Sequence, residues 1–226
     1  MVNSHSGSVK QRFWIGLQLA IVTALIPAVS FADPTSQPSD SFELVKQLNQ
    51  DAIAFAGAFA SVGDLSDSAA REKLSPTVLP LIHHAISVID QMPANCKGQS
   101  MDAMKNDWDI WLIVFNEATF VRNTKAAANG TGESAINAQI KLARAQMLIA
   151  ATDVTKSETV ARRVVDLAGK APASDVATSA LLSIELDERL PAETRDAATQ
   201  LLQRSTSPVA VNLRLLRKMV TTRPAM

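Results

Sequence analysis

A single cysteine, Cys96, stands in 226 residues, and tyrosine is absent. One thiol cannot close an intramolecular disulfide, so the fold must rest on a buried apolar core and not on covalent staples. Aromatic residues make up only 4% of the chain. Exposed Tyr and Trp build sugar platforms and adhesive interfaces, so their scarcity argues against carbohydrate binding. An excess of charge of either sign is missing too, because 22 basic residues balance 22 acidic ones. Nucleic-acid binding needs a basic footprint and is not expected. No Gly-x-Ser-x-Gly elbow, glycine-rich phosphate loop or Cys-x-x-Cys-His haem site occurs, and each of those chemistries needs its own local geometry.

What is present begins with an export signal. Residues 1–14 carry Lys10 and Arg12 as their only Lys, Arg, Asp or Glu, an apolar run spans Ile15 to Val29, and Ser30-Phe31-Ala32 places small residues at its first and third positions. Basic, apolar, small is the order of a cleavable secretory signal. The run falls short of the roughly 20 apolar residues a spanning helix needs, and Pro27 interrupts it. Cleavage is expected after Ala32, with export to the periplasm or the exterior and no spanning segment afterwards. Residues 33–39, rich in Pro and Ser, read as a disordered linker. Residues 40–226 read as one helical domain with candidate sub-units 40–152 and 153–226.

From Asp40 onward the apolar period is helical and β-branched alternation is missing. Phe42, Val45, Leu48, Ala52, Phe55 and Phe59 form one stripe that Gly63 and Asp64 end. A short helix follows over 66–74. Ser75-Pro76 predicts a restart, since proline suits the first helical position, and that helix runs to Met92. A long helix is expected over 100–128, with its centre from Trp108 to Val121 apolar on nearly every side, as in a core helix. Another covers 133–151. Four shorter ones open at Thr155, where Glu158 completes a capping box, at Ser174, at Pro191 and at Ser207-Pro208.

The stretch Leu190-Pro191-Ala192-Glu193-Thr194-Arg195-Asp196-Ala197-Ala198 resembles the opening of a HEAT-repeat helix, over this stretch alone. The resemblance implies paired, stacked helices. The starts of the last four helices lie about 16 to 19 residues apart, a spacing typical of helical solenoids, and the expected fold is an all-α bundle of about eight helices, the last four available for stacking as two solenoid-like hairpins.

Candidate chemistry is sparse. His83, His84, Met92, Cys96, Met101 and Met104 gather soft and borderline ligand atoms, and thioethers favour Cu(I), so copper is the candidate cofactor. Glu117, beside Asn116 in the expected core helix, would have its charge disfavoured by desolvation and could act as an acid or base given a partner such as His83, His84, Arg122 or Arg144. The alternative places Glu117 on a polar edge with Asp109 and Asn123. Cys96 with a histidine is a weak nucleophile pair. Asn129-Gly130-Thr131 matches a glycosylation acceptor. Arg204, Arg214, Arg217, Lys218 and Arg223 flank an apolar stripe of Val209, Leu213, Leu216 and Val220. That basic amphipathic helix could touch an anionic surface or dock on the acidic hairpin of Glu185, Asp187, Glu188, Glu193 and Asp196. No catalytic constellation is specified, so the expected function is an exported scaffold or interaction module of unknown protein partner, with copper binding as the alternative.

Overall fold

Two prolines that should begin a helix lie inside one. The computed structural model describes residues 38–59, 64–93 and 99–221. Among them are nine helices and no strand: α1 Pro38–Phe59, α2 Ser68–Gln91, α3 Gln99–Val114, α4 Ala118–Ala128, α5 Gly132–Ile149, α6 Val154–Gly169, α7 Asp175–Glu185, α8 Ala192–Arg204 and α9 Pro208–Thr221. The expected signal segment, most of the expected linker and Cys96 lie outside the described residues.

The structure corrects four local expectations. Helix α1 opens at Pro38, two residues before Asp40 and inside the expected linker. Proline fits a first turn because its missing N–H had no intrahelical partner there. Second, α2 does not restart at Ser75-Pro76 but runs through Pro76 and Pro80. Its buried stripe of Leu74, Val78, Ile82, Ala85 and Val88 crosses both prolines without a break, while the prolines stand four apart on the exposed face. Helical stability in a protein comes mostly from packing one face, and here that burial outweighs the lost backbone bonds. The Ser75 hydroxyl donates to the Arg71 carbonyl at 2.9 Å.

Third, the long core helix breaks into α3 and α4. Asn116 has φ of 55°, a left-handed conformation that Asn tolerates better than most residues. The Glu117 N–H bonds the Leu112 carbonyl at 2.8 Å and the Asn116 N–H bonds the Ile113 carbonyl at 3.0 Å. This is the Schellman closure of a helix C-terminus, with Asn in glycine's usual place. Fourth, α6 is capped by Asp153, whose carboxylate accepts from the Lys156 N–H. Thr155 is therefore inside the first turn and does not form the expected capping box.

The starts at Ser174 and Ser207-Pro208 are found as expected. The Ser174 hydroxyl accepts from the Ala177 N–H, and the Ser207 hydroxyl from the Ala210 N–H, both at 3.1 Å.

Buried apolar residues form two clusters. The first joins α1, α2 and α3 around Phe55, whose ring lies 5.1 to 6.3 Å from those of Phe59, Trp108, Trp111 and Phe115. The second joins α6, α7 and α8. Helix α5 serves both: Ala145 and Leu148 belong to the first, and Ile140, Ala143 and Met147 to the second. The last four helices fold back on the first, since α7 and α9 both touch α3. The molecule is thus a helical bundle.

Loop chemistry fixes that closure. Asp187, 1% exposed, pairs with Arg189 at 2.7 Å, and the same guanidinium donates to the Ala151 carbonyl at 2.6 Å. Thr178 shares hydrogen bonds with the Ser205 and Ser207 hydroxyls. Two cations of the basic helix α9 bind the bundle: Arg214 donates to the Leu202 and Ser205 carbonyls, and Arg217 pairs with Glu185. No described helix is long and apolar enough to cross a membrane.

Candidate functional site

Two polar rungs join α3 to α5. Asp107 meets Arg144 at 2.5 Å, and Asp109 meets Lys141 at 2.7 Å. Arg144 is 8% exposed and donates also to the Ser179 and Ser183 hydroxyls of α7. A buried guanidinium requires such a full set of acceptors, because leaving it unpaired would cost several kcal/mol, on the order of 3–5. Asn137, Lys141 and Arg144 recur at helical steps, which sets all three on the α5 face that looks towards α3 and α7.

Above the second rung lies a cleft of about 560 Å³ between α3, α4 and α5. Its polar walls include Asn106 and Asp109 from α3, Asn123 and Thr124 from α4, and Asn137 and Lys141 from α5. Phe120, Ala138 and Val176 supply apolar lining. Burial raises the Asp109 carboxyl above its ordinary value of 3.8, and the Lys141 ammonium pulls against that rise. Asn137 is held by the Ser174 hydroxyl at 2.6 Å. Among the described residues the side-chain amides of Asn106 and Asn123 have no hydrogen-bond partner.

The residues named from sequence fall elsewhere. Met92, Met101 and Met104 are 2 to 4% exposed and all belong to the first apolar cluster. His83 and His84 stand on the exposed side of α2, whereas Ile82 and Ala85 beside them face the core. His84 Nδ1 lies 2.7 Å from Asp51 Oδ2, with the Asp51 side chain 10% exposed. Cys96 lies outside the described residues. Among the described residues no group of three or more His, Cys, Asp or Glu could hold a metal ion.

Glu117 is corrected from a carboxylate within a core helix to the cap of α4, accepting from the Phe120 N–H. Arg144 does not reach it, being bound to Asp107. The sequence offers Glu117, Asp109 and Asn123 as one polar edge, but the cleft is not legible there because Asn137 and Lys141 come from α5. The chain matches no protein-family description, no curated protein and no solved structure.

Proposed function

We propose that the chain is an exported, non-enzymatic interaction module whose recognition surface is the α3–α4–α5 cleft, and that its partner presents an extended peptide segment there. The observation that carries this is that the side-chain amides of Asn106 on α3 and Asn123 on α4 line one concave polar site and have no hydrogen-bond partner among the described residues. A primary amide offers both a donor and an acceptor, which is the complement of a peptide group. The Asp109–Lys141 rung beneath supports the same use, since a paired base of the site stays in place while the rim amides engage.

The test uses the full mature chain and a library of unstructured hexapeptides. Peptide addition is expected to shift the NMR side-chain amide signals of Asn106 and Asn123, and the double substitution N106A/N123A should abolish binding without changing the melting temperature. Binding that survives the double substitution would overturn the assignment, as would unmoved amide signals at about 1 mM peptide, a level that detects even weak complexes. The export part is tested by N-terminal sequencing: the mature protein should begin at Asp33, and an intact Met1 on protein recovered outside the cytoplasm would refute cleavage.

A second reading is copper handling, favoured by His84. A carboxylate on Nδ1 orients the ring and leaves Nε2 as a lone pair for a metal, the arrangement common in metal-binding histidines. Equilibrium dialysis with Cu(I) and Cu(II) should then retain one ion per chain and lose it in H83A/H84A. Retention of less than one ion at micromolar metal removes this reading.

A further inference from the structure

We propose a second binding site, for a small oxyanion, in the recess between α4, α5 and α6. The recess holds about 390 Å³ and is lined by Lys125 and Asn129 from the α4 end, Gln139, Leu142 and Gln146 from α5, and Arg163 from α6. Two cations therefore face one concavity from different helices. Among the described residues neither Lys125 nor Arg163 has a carboxylate within ion-pair distance. The contrast with the adjacent Arg162 is informative, because that guanidinium is divided between Glu158 at 2.9 Å and Glu193 at 3.4 Å. Those two carboxylates pair with the arginine outside the recess, and no acidic side chain lines the recess itself.

Two cations lining one recess without a counter-charge leave it electropositive, and an oxyanion there would form charge-assisted hydrogen bonds with both. The end of α4 would oppose an anion, since helix C-termini carry partial negative charge. The Gln139 amide offsets this by donating to the Ala128 carbonyl at 2.8 Å. Gln146 and Asn129 add amide donors at the rim. Leu142 and Ala143 form an apolar wall, so the recess also accommodates an aliphatic portion. The ligand class is a phosphate or carboxylate group, free or carried on a short aliphatic chain.

Isothermal titration of the full mature protein with inorganic phosphate and, separately, with hexanoate tests the site. At least one anion should bind, with an affinity that falls as salt rises. K125Q and R163Q should each weaken binding about tenfold, as expected for loss of one charged hydrogen bond. Their combination should abolish it, while R162Q leaves it unchanged. Preference for phosphate assigns a phosphoryl ligand, and preference for hexanoate assigns an aliphatic carboxylate. Absence of binding by either anion at about 10 mM, or equal binding by K125Q/R163Q and the unsubstituted protein, overturns the proposal. Circular dichroism of K125Q/R163Q confirms folding, and both residues are surface-exposed.

Discussion

Arg144 and Asp107 lie 37 positions apart in sequence and 2.5 Å apart in space, and the same guanidinium reaches two serine hydroxyls on α7. One side chain thus ties α5 to both α3 and α7. Arg144→Met leaves the Asp107 carboxylate, 20% exposed, without its cation, and should cost about 3–5 kcal/mol in urea unfolding. Replacing Asp107 by Asn in the same background should recover part of that loss. A cost under about 1 kcal/mol for Arg144→Met, the level of a surface pair, would show that the rung contributes little.

Asp109 gives the protein a pH signature of unusual sign. Burial raises its pKa when folded, so above 3.8 the folded state holds the proton more firmly than the unfolded chain. Through that interval stability falls as pH rises. Asp109→Asn removes the titration, so the difference in unfolding free energy between the two proteins should change steadily from pH 3.8 upward and then level. Lys141→Met removes the cation that opposes the rise and should extend the fall to higher pH. Parallel pH profiles for D109N and the unsubstituted protein would sink this account.

The ring cluster around Phe55 concentrates stability in one side chain. Phe55 is fully buried and has four aromatic neighbours. Phe55→Ala should destabilise by about 3–5 kcal/mol, whereas Phe55→Leu, which keeps most of the volume, should cost less. Trp108 beside it carries a buried indole N–H with no partner among the described residues. Trp108→Phe removes that orphan donor and deletes fewer atoms than Phe55→Ala, so it should cost less. Denaturant midpoints at constant m-value check the ranking, and a reversed order would refute it.

Two neighbouring residues distinguish the observed cap of α6 from the expected one. Asp153→Ala should lower the melting temperature, and Thr155→Ala should not. The Lys156 backbone N–H, and then its ammonium, hold the Asp153 carboxyl below its ordinary value. Its contribution is therefore present above pH 3.8 and lost as pH falls through the lower folded value. If Thr155→Ala proves the more damaging change, the helix begins where the capping-box spacing had placed it.

Local signals carried much of the fold. Ser174 and Ser207-Pro208 announce helices because a hydroxyl cap and a first-turn proline act over three or four residues, and the structure has them there. Where packing competes with local preference, the sequence is less legible. Ser75-Pro76 reads as the start of a new helix with Pro80 near its first turn, but the stripe from Leu74 to Val88 buries across both prolines. Asn116 reads as one more residue of an apolar helix, although an Asn followed by Glu117 and Ala-Thr-Phe was the available sign of a C-terminus and a new cap. The candidate site was the least legible part. Asp109 and Asn123 stood out as polar, but Lys141 becomes their neighbour only through the register of α5 on α3. Asp51, the partner of His84, lies 33 residues upstream at no recognisable spacing.

Helix α5, with one face in each apolar cluster, answers to both. Its backbone amides are shielded while either cluster remains packed around it, so they should be among the last in the protein to exchange with deuterated solvent. Lesions at opposite ends of the bundle, Phe55→Ala in one cluster and Val164→Ala in the other, would each reach the same stretch from Ile140 to Leu148. The exchange rates of that single helix would then report the health of the whole molecule.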